Sequence, residues 1–127
     1  MTKRQKNLEK KYMRLALDQA YKNIGSTKEN PSVGCVVVKD GTVISSGVTS
    51  LNGRPHAEIN ALKFKKNFSG SNIYITLEPC THKGKTNPCV NTILNKGIKK
   101  VYYSISDPDI RTTNKAKPFF KKKKNKC

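Results

Sequence analysis

Residues 73–106 place the tightest constraint on what this chain can fold into. The stretch "IYITL" (73–77) is short, apolar and rich in β-branched residues, the composition of a buried strand. "KKVYYSIS" (99–106) has the same character. Between them, "NPCVNTILNKG" carries helix punctuation at both ends, with Asn87 as N-cap, Pro88 at the first helical position and Gly97 just past the last. A strand, a helix and a strand joined so closely predict a parallel pair with a right-handed crossover.

The chain upstream predicts an antiparallel partner for that unit. "VGCVVVK" (33–39) is a continuous apolar run, "DG" (40–41) is a hairpin turn, and "TVISSGVTS" (42–50) alternates as a return strand should. Residues 7–24 read as a helix with a stripe through Leu8, Tyr12, Leu15, Ala16 and Gln19, stopped by Gly25. A second helix, "HAEINALKFKK" (56–66), follows Pro55 and turns Ile59 and Leu62 inward. The order α-β-β-α-β-α-β predicts an α/β fold, a three-layer α-β-α sandwich on a mixed sheet. Residues 1–110 form the expected domain, and the lysine-rich residues 111–127 the expected solvated tail of a truncated end.

Length and charge narrow the function. At 127 residues the chain is expected to form one domain. Its net charge of +18 attracts phosphate groups. The basic residues are mostly Lys, with no Trp, and Arg and aromatics are not interleaved on one face, so a dedicated nucleic-acid binder is disfavoured. No stretch approaches a membrane span and no apolar run follows the basic N-terminus, so the protein is expected in the cytoplasm. There, cysteines are more often free or metal-bound than paired.

Chemistry concentrates in "RPHAE" and "PCTHKGKTNPC". His56, Cys80 and Cys89 fall at helix starts or strand ends, and three N/S ligands with an open fourth position describe a catalytic zinc site. Glu58, two residues past His56, can take a proton from water at that metal and deliver it to a leaving amine. Neither motif is specific alone. A hydrogen-bonded loop histidine, two small core cysteines and a solvated first-turn carboxylate are the plain alternatives. Together, H-x-E and paired cysteines are the signature of zinc-dependent nucleobase deaminases. Cys35, within "GCVVV", reads as core, and Cys127 is assigned no role.

Over residues 10–109 the chain resembles the deaminase domain of bifunctional riboflavin biosynthesis proteins (the RibD type), within the cytidine/deoxycytidylate deaminase-like superfamily. The resemblance rests on "YMRLALDQA", "NPSVGCVVVKDG", "GRPHAEINAL", "YITLEPCTHKGKTNPC" and "GIKKVYYSISDP". It implies hydrolytic deamination of 2,5-diamino-6-ribosylamino-4(3H)-pyrimidinone 5′-phosphate at C2, giving 5-amino-6-ribosylaminouracil 5′-phosphate and ammonia, with Glu58 shuttling protons. Lys85 would meet the phosphate, His82 and Thr86 would add hydrogen bonds, and the Asn30 amide would face the pyrimidine edge. It also implies a homo-oligomer, and, with no reductase domain in the sequence, the expectation is either a separate reductase for the next step or a truncated copy. The chain departs from the family pattern at Thr49, where a histidine is usual, and at Asp109, where the family reads DPN. Two other readings compete: a zinc deaminase of another base, free or in nucleic acid, and an inactive zinc-stabilised remnant that binds phosphate or nucleic acid.

Overall fold

A computed structural model describes residues 2–28, 30–77, 89–104 and 111–113. The first helix, α1 (Lys3–Tyr21), begins four residues earlier than the sequence suggests. A capping box explains the difference: Thr2 Oγ1 accepts the Gln5 N–H at 3.1 Å, and Gln5 Oε1 accepts the Thr2 N–H at 2.8 Å. The buried stripe is Met13, Ala16 and Ala20, with Tyr12 and Leu15 at its margin; Leu8 is exposed.

Strands β1 (Gly34–Lys39) and β2 (Thr42–Val48) form the expected hairpin. Asp40 and Gly41 both have positive φ, as a two-residue turn matched to strand twist demands. A register shift between Val37 and Val38 marks a bulge, with Val37 facing Ser45 and Val38 facing Val43. Next come α2 (Ala57–Leu62), β3 (Asn72–Ile75), α3 (Cys89–Asn95), β4 (Lys100–Tyr103) and β5 (Arg111–Thr113). The sheet order is β2-β1-β3-β4-β5. The β3–β4 pair is parallel, as the strand-helix-strand unit requires, and the other neighbours are antiparallel.

Two differences from the sequence reading concern where elements stop. α2 ends at Leu62 rather than Lys66, and the chain then turns to bury Phe68 at 2% exposure while Lys63 to Asn67 stay in solvent. β5 lies within the segment expected to be a solvated tail. It pairs Arg111 with Tyr103 and Thr113 with Val101.

Strand alternation separates two cores. Cys35, Val37, Ile73, Ile75 and Val101 join Ala57, Ala61, Leu62 and Ile93 on the α2–α3 side. Val36, Val38, Tyr74 and Tyr102 join Met13 and Ala16 on the α1 side. Two glycines let the layers approach. A Cβ on Gly34 would lie 2.0 Å from the Ala16 carbonyl oxygen, and one on Gly47 would lie 2.4 Å from that of Ala57. α2, with the chemistry-bearing residues at its start, is thus pressed directly onto β2.

Candidate active site

Three segments meet off one end of the sheet: the loop into β1, the loop between β2 and α2, and the chain leaving β3. They enclose a cavity of about 180 Å³ lined, among the described residues, by Asn30, Pro31, Val33, Thr49, His56, Glu58 and Leu77. Two of the four zinc-and-proton residues expected from the sequence, His56 and Glu58, therefore share one small space, and Asn30 shares it with them.

His56 is the N-cap residue of α2, with extended backbone (φ −70°, ψ 166°) and no side-chain capping bond to the helix. Its carbonyl accepts the Asn60 N–H at 3.1 Å, which starts the helix, while the side chain lines the cavity. Glu58 lies in the first turn and is 3% exposed. A carboxylate so enclosed is not the solvated first-turn acid that the sequence alone allowed.

Cys35 packs behind this site rather than in it. It is fully buried, and its Sγ donates to the Ala57 carbonyl at 3.4 Å. Burial, reinforced by the negative charge of Glu58, holds its thiol well above the usual range, so it stays protonated and core-like. That matches the role assigned to it from the sequence.

Asn30 is anchored before any ligand arrives. Its Nδ2 donates to the Gly53 carbonyl at 2.8 Å, and its N–H bonds to the Thr27 carbonyl at 3.2 Å. Asn30 also lines the cavity. Thr49 is 1% exposed, and its hydroxyl accepts the Val33 N–H at 2.9 Å. Thr49 is thus tied to backbone.

Cys89 is the first residue of α3, which lies on the same side of the sheet as α2. Cys80, His82, Lys85, Thr86 and Asp109 lie outside the described residues. Among the described residues, no three His, Cys, Asp or Glu side chains cluster as a metal site would. The donor set still suits zinc: an imidazole lines the cavity, one thiol-bearing residue opens the adjacent helix, and the other follows Leu77 by three positions.

A larger depression of about 530 Å³ runs along the outer edge of β2, lined by residues including Gln19, Asn23, Arg54, Asn60 and Lys63. It contains neither His56 nor Glu58, which both line the smaller cavity. No helix among the described residues is long and apolar enough to cross a membrane.

The fold carries an H-x-E at a helix start, with Glu58 buried and His56 half-buried beside it in one cavity. A family model described as the cytidine and deoxycytidylate deaminase zinc-binding region matches residues 6–105, and the chain belongs to that family. Within it, similarity runs to riboflavin biosynthesis proteins. The chain is 45% identical over 105 residues to the riboflavin biosynthesis protein RibD of Aquifex aeolicus, covering 82% of this chain and 30% of that protein. It is 41% identical over 113 residues to a diaminohydroxyphosphoribosylamino-pyrimidine deaminase of Buchnera aphidicola, covering 88% of this chain and 77% of that one. Among solved structures, a Thermotoga maritima deaminase/5-amino-6-(5-phosphoribosylamino)uracil reductase superposes with a TM-score of 0.76 at 34% identity, over 94% of this chain and 35% of that chain. The chain spans about a third or less of the length of the RibD proteins among these relatives.

Proposed function

We propose that this chain deaminates 2,5-diamino-6-ribosylamino-4(3H)-pyrimidinone 5′-phosphate, releasing ammonia, as a step of riboflavin biosynthesis. The observation that carries the reading is Glu58, buried at 3% exposure in the same cavity as His56. Names of relatives that carry the deaminase activity support the substrate class.

His56, Cys80 and Cys89 are the residues that would hold zinc. Zinc held by three such ligands supplies a water nucleophile near neutral pH. Glu58 would accept a proton from water as the water oxygen bonds to C2, and return it to the amine, so that the C2–N bond breaks, the C2 oxygen is retained in the product and ammonia leaves. Val33 and Leu77 give the cavity apolar walls, which exclude bulk water from the proton transfer. Asn30, already anchored through Gly53, presents its amide to a pyrimidine edge without first having to be ordered. Lys85 is assigned to the phosphate, and His82 and Thr86 to further hydrogen bonds with the substrate.

Cavity size favours a single-ring base. A space of ~150 Å³ accommodates one benzene-sized ring, and this one is about 180 Å³. The ribosyl phosphate then extends toward the mouth, where a +18 chain attracts it. A reductase, the second activity named in the Thermotoga protein, is the reaction class that consumes such a product.

The test is competition among bases. The zinc-loaded protein is offered the diaminopyrimidine ribosyl phosphate, cytidine and deoxycytidylate in parallel, with ammonia as the readout. Release from the first substrate with far higher kcat/KM is expected. Preference for either of the others would replace this substrate assignment with deamination of another base.

A further inference from the structure

The loop from Thr49 to Pro55, "TSLNGRP", delivers cavity residues at both ends, yet it has no apolar anchor of its own. Leu51, its one large hydrophobe, is 60% exposed. Hydrogen bonds must therefore define its path. Gly53 N–H donates to the Ser50 carbonyl at 2.8 Å, and Ser50 N–H donates to the Pro55 carbonyl at 3.1 Å.

One side chain ties the two ends together. Asn60 Nδ2 donates to the Val48 carbonyl at 2.8 Å, to Ser50 Oγ at 2.9 Å and, more weakly, to the Pro55 carbonyl at 3.3 Å. These acceptors are the last residue of β2, a residue at the loop's start and the residue immediately before His56. Asn60 also donates its backbone N–H to the His56 carbonyl at 3.1 Å. Asparagine is a poor helix former, and packing on this helix is done by Ala57, Ala61 and Leu62. Its amide instead bonds two carbonyls and a hydroxyl at the partly buried edge of the loop, which an apolar residue could not do.

We propose that Asn60 is a positioning residue: by clamping Val48, Ser50 and Pro55 it fixes the approach of the chain to His56, and so sets how tightly the site holds zinc. This rests on the reading of His56 as a zinc ligand. Groups that orient a ligand from outside the ligand set typically alter metal affinity by ~10–100-fold when removed.

The test measures zinc affinity of the full chain by competition with a chromophoric chelator, and the visible absorption of the Co2+-substituted protein. Asn60→Ala is compared with Ser45→Ala. Ser45 Oγ donates to the Ala61 carbonyl, joining β2 to α2 away from the cavity, so its loss destabilises without touching the loop. Asn60→Ala is expected to weaken zinc binding ~10–100-fold and to change the Co2+ spectrum, while Ser45→Ala keeps both. Wild-type affinity and spectrum in Asn60→Ala would overturn the proposal, as would equal losses of zinc in the two variants. Should Asn60→Ala fail to fold, Asn60→Ser keeps one donor and gives the same decision. Weaker zinc in that folded variant supports the assignment, and unchanged zinc overturns it. A wild-type protein that binds no zinc would overturn the ligand reading itself, and this assignment with it.

Discussion

The Thr49 hydroxyl accepts the Val33 N–H at 2.9 Å and lies 3.4 Å from the Val33 carbonyl, bridging the end of β2 to the start of β1 at the cavity wall. The side chain is structural first. Thr49→Val keeps its shape but leaves the Val33 N–H without that acceptor, and should cost about 1–3 kcal/mol of stability. Thr49→Ser should retain most of it. Urea unfolding of the two variants checks this: equal midpoints would mean the bridge contributes nothing.

Gly47 decides how close α2 lies to the sheet. A Cβ there would meet the Ala57 carbonyl oxygen at 2.4 Å and the Ala61 nitrogen at 2.7 Å. Gly47→Ala should destabilise by about 1–3 kcal/mol or more. It should also lower ammonia release, because Ala57 sits between His56 and Glu58 and all three must shift together. A variant with wild-type stability and turnover would show that this contact is relaxed in solution.

On the opposite face, Tyr74 stacks on Tyr102 with ring centroids 4.5 Å apart and planes 4° from parallel. Burial first, then a hydrogen bond to Glu9 and that carboxylate's charge, push Tyr102 up to about 12. Burial and the neighbouring Tyr102 push Tyr74 higher still. An unfolded tyrosine titrates near ~10. Between that value and the folded one, the native state holds protons the unfolded chain has released, so stability is full below pH ~10 and falls as pH rises above it. Unfolding midpoints followed from pH 9 to 12 should drop, and Tyr102→Phe should flatten the drop. A slope unchanged by that substitution would contradict the coupling.

Elements set by local chemistry were legible in the sequence. The Asp40–Gly41 turn, the β-branched strands and the Gly97 stop all appear where they were expected. His56 and Glu58, singled out in the sequence by their spacing, line one cavity. What failed to show was settled over long range. Met13, not Leu8, faces the core, because the helix turns its small residues Ala16 and Ala20 onto Gly34. α2 stops early because Phe68 has to reach the core, and β5 forms because β4 offers it an edge. Asn60 left no signal, since an amide bonding three backbone and side-chain acceptors follows no period.

The central claim is that Glu58 moves protons in a hydrolytic deamination. The direct measurement is ammonia release from the diaminopyrimidine ribosyl phosphate by wild type and Glu58→Ala, with zinc content determined on the same samples. The account expects Glu58→Ala to keep its zinc and lose about 10²–10⁴-fold in kcat. Wild-type turnover in Glu58→Ala, or no release from a folded, zinc-loaded wild type, would contradict it.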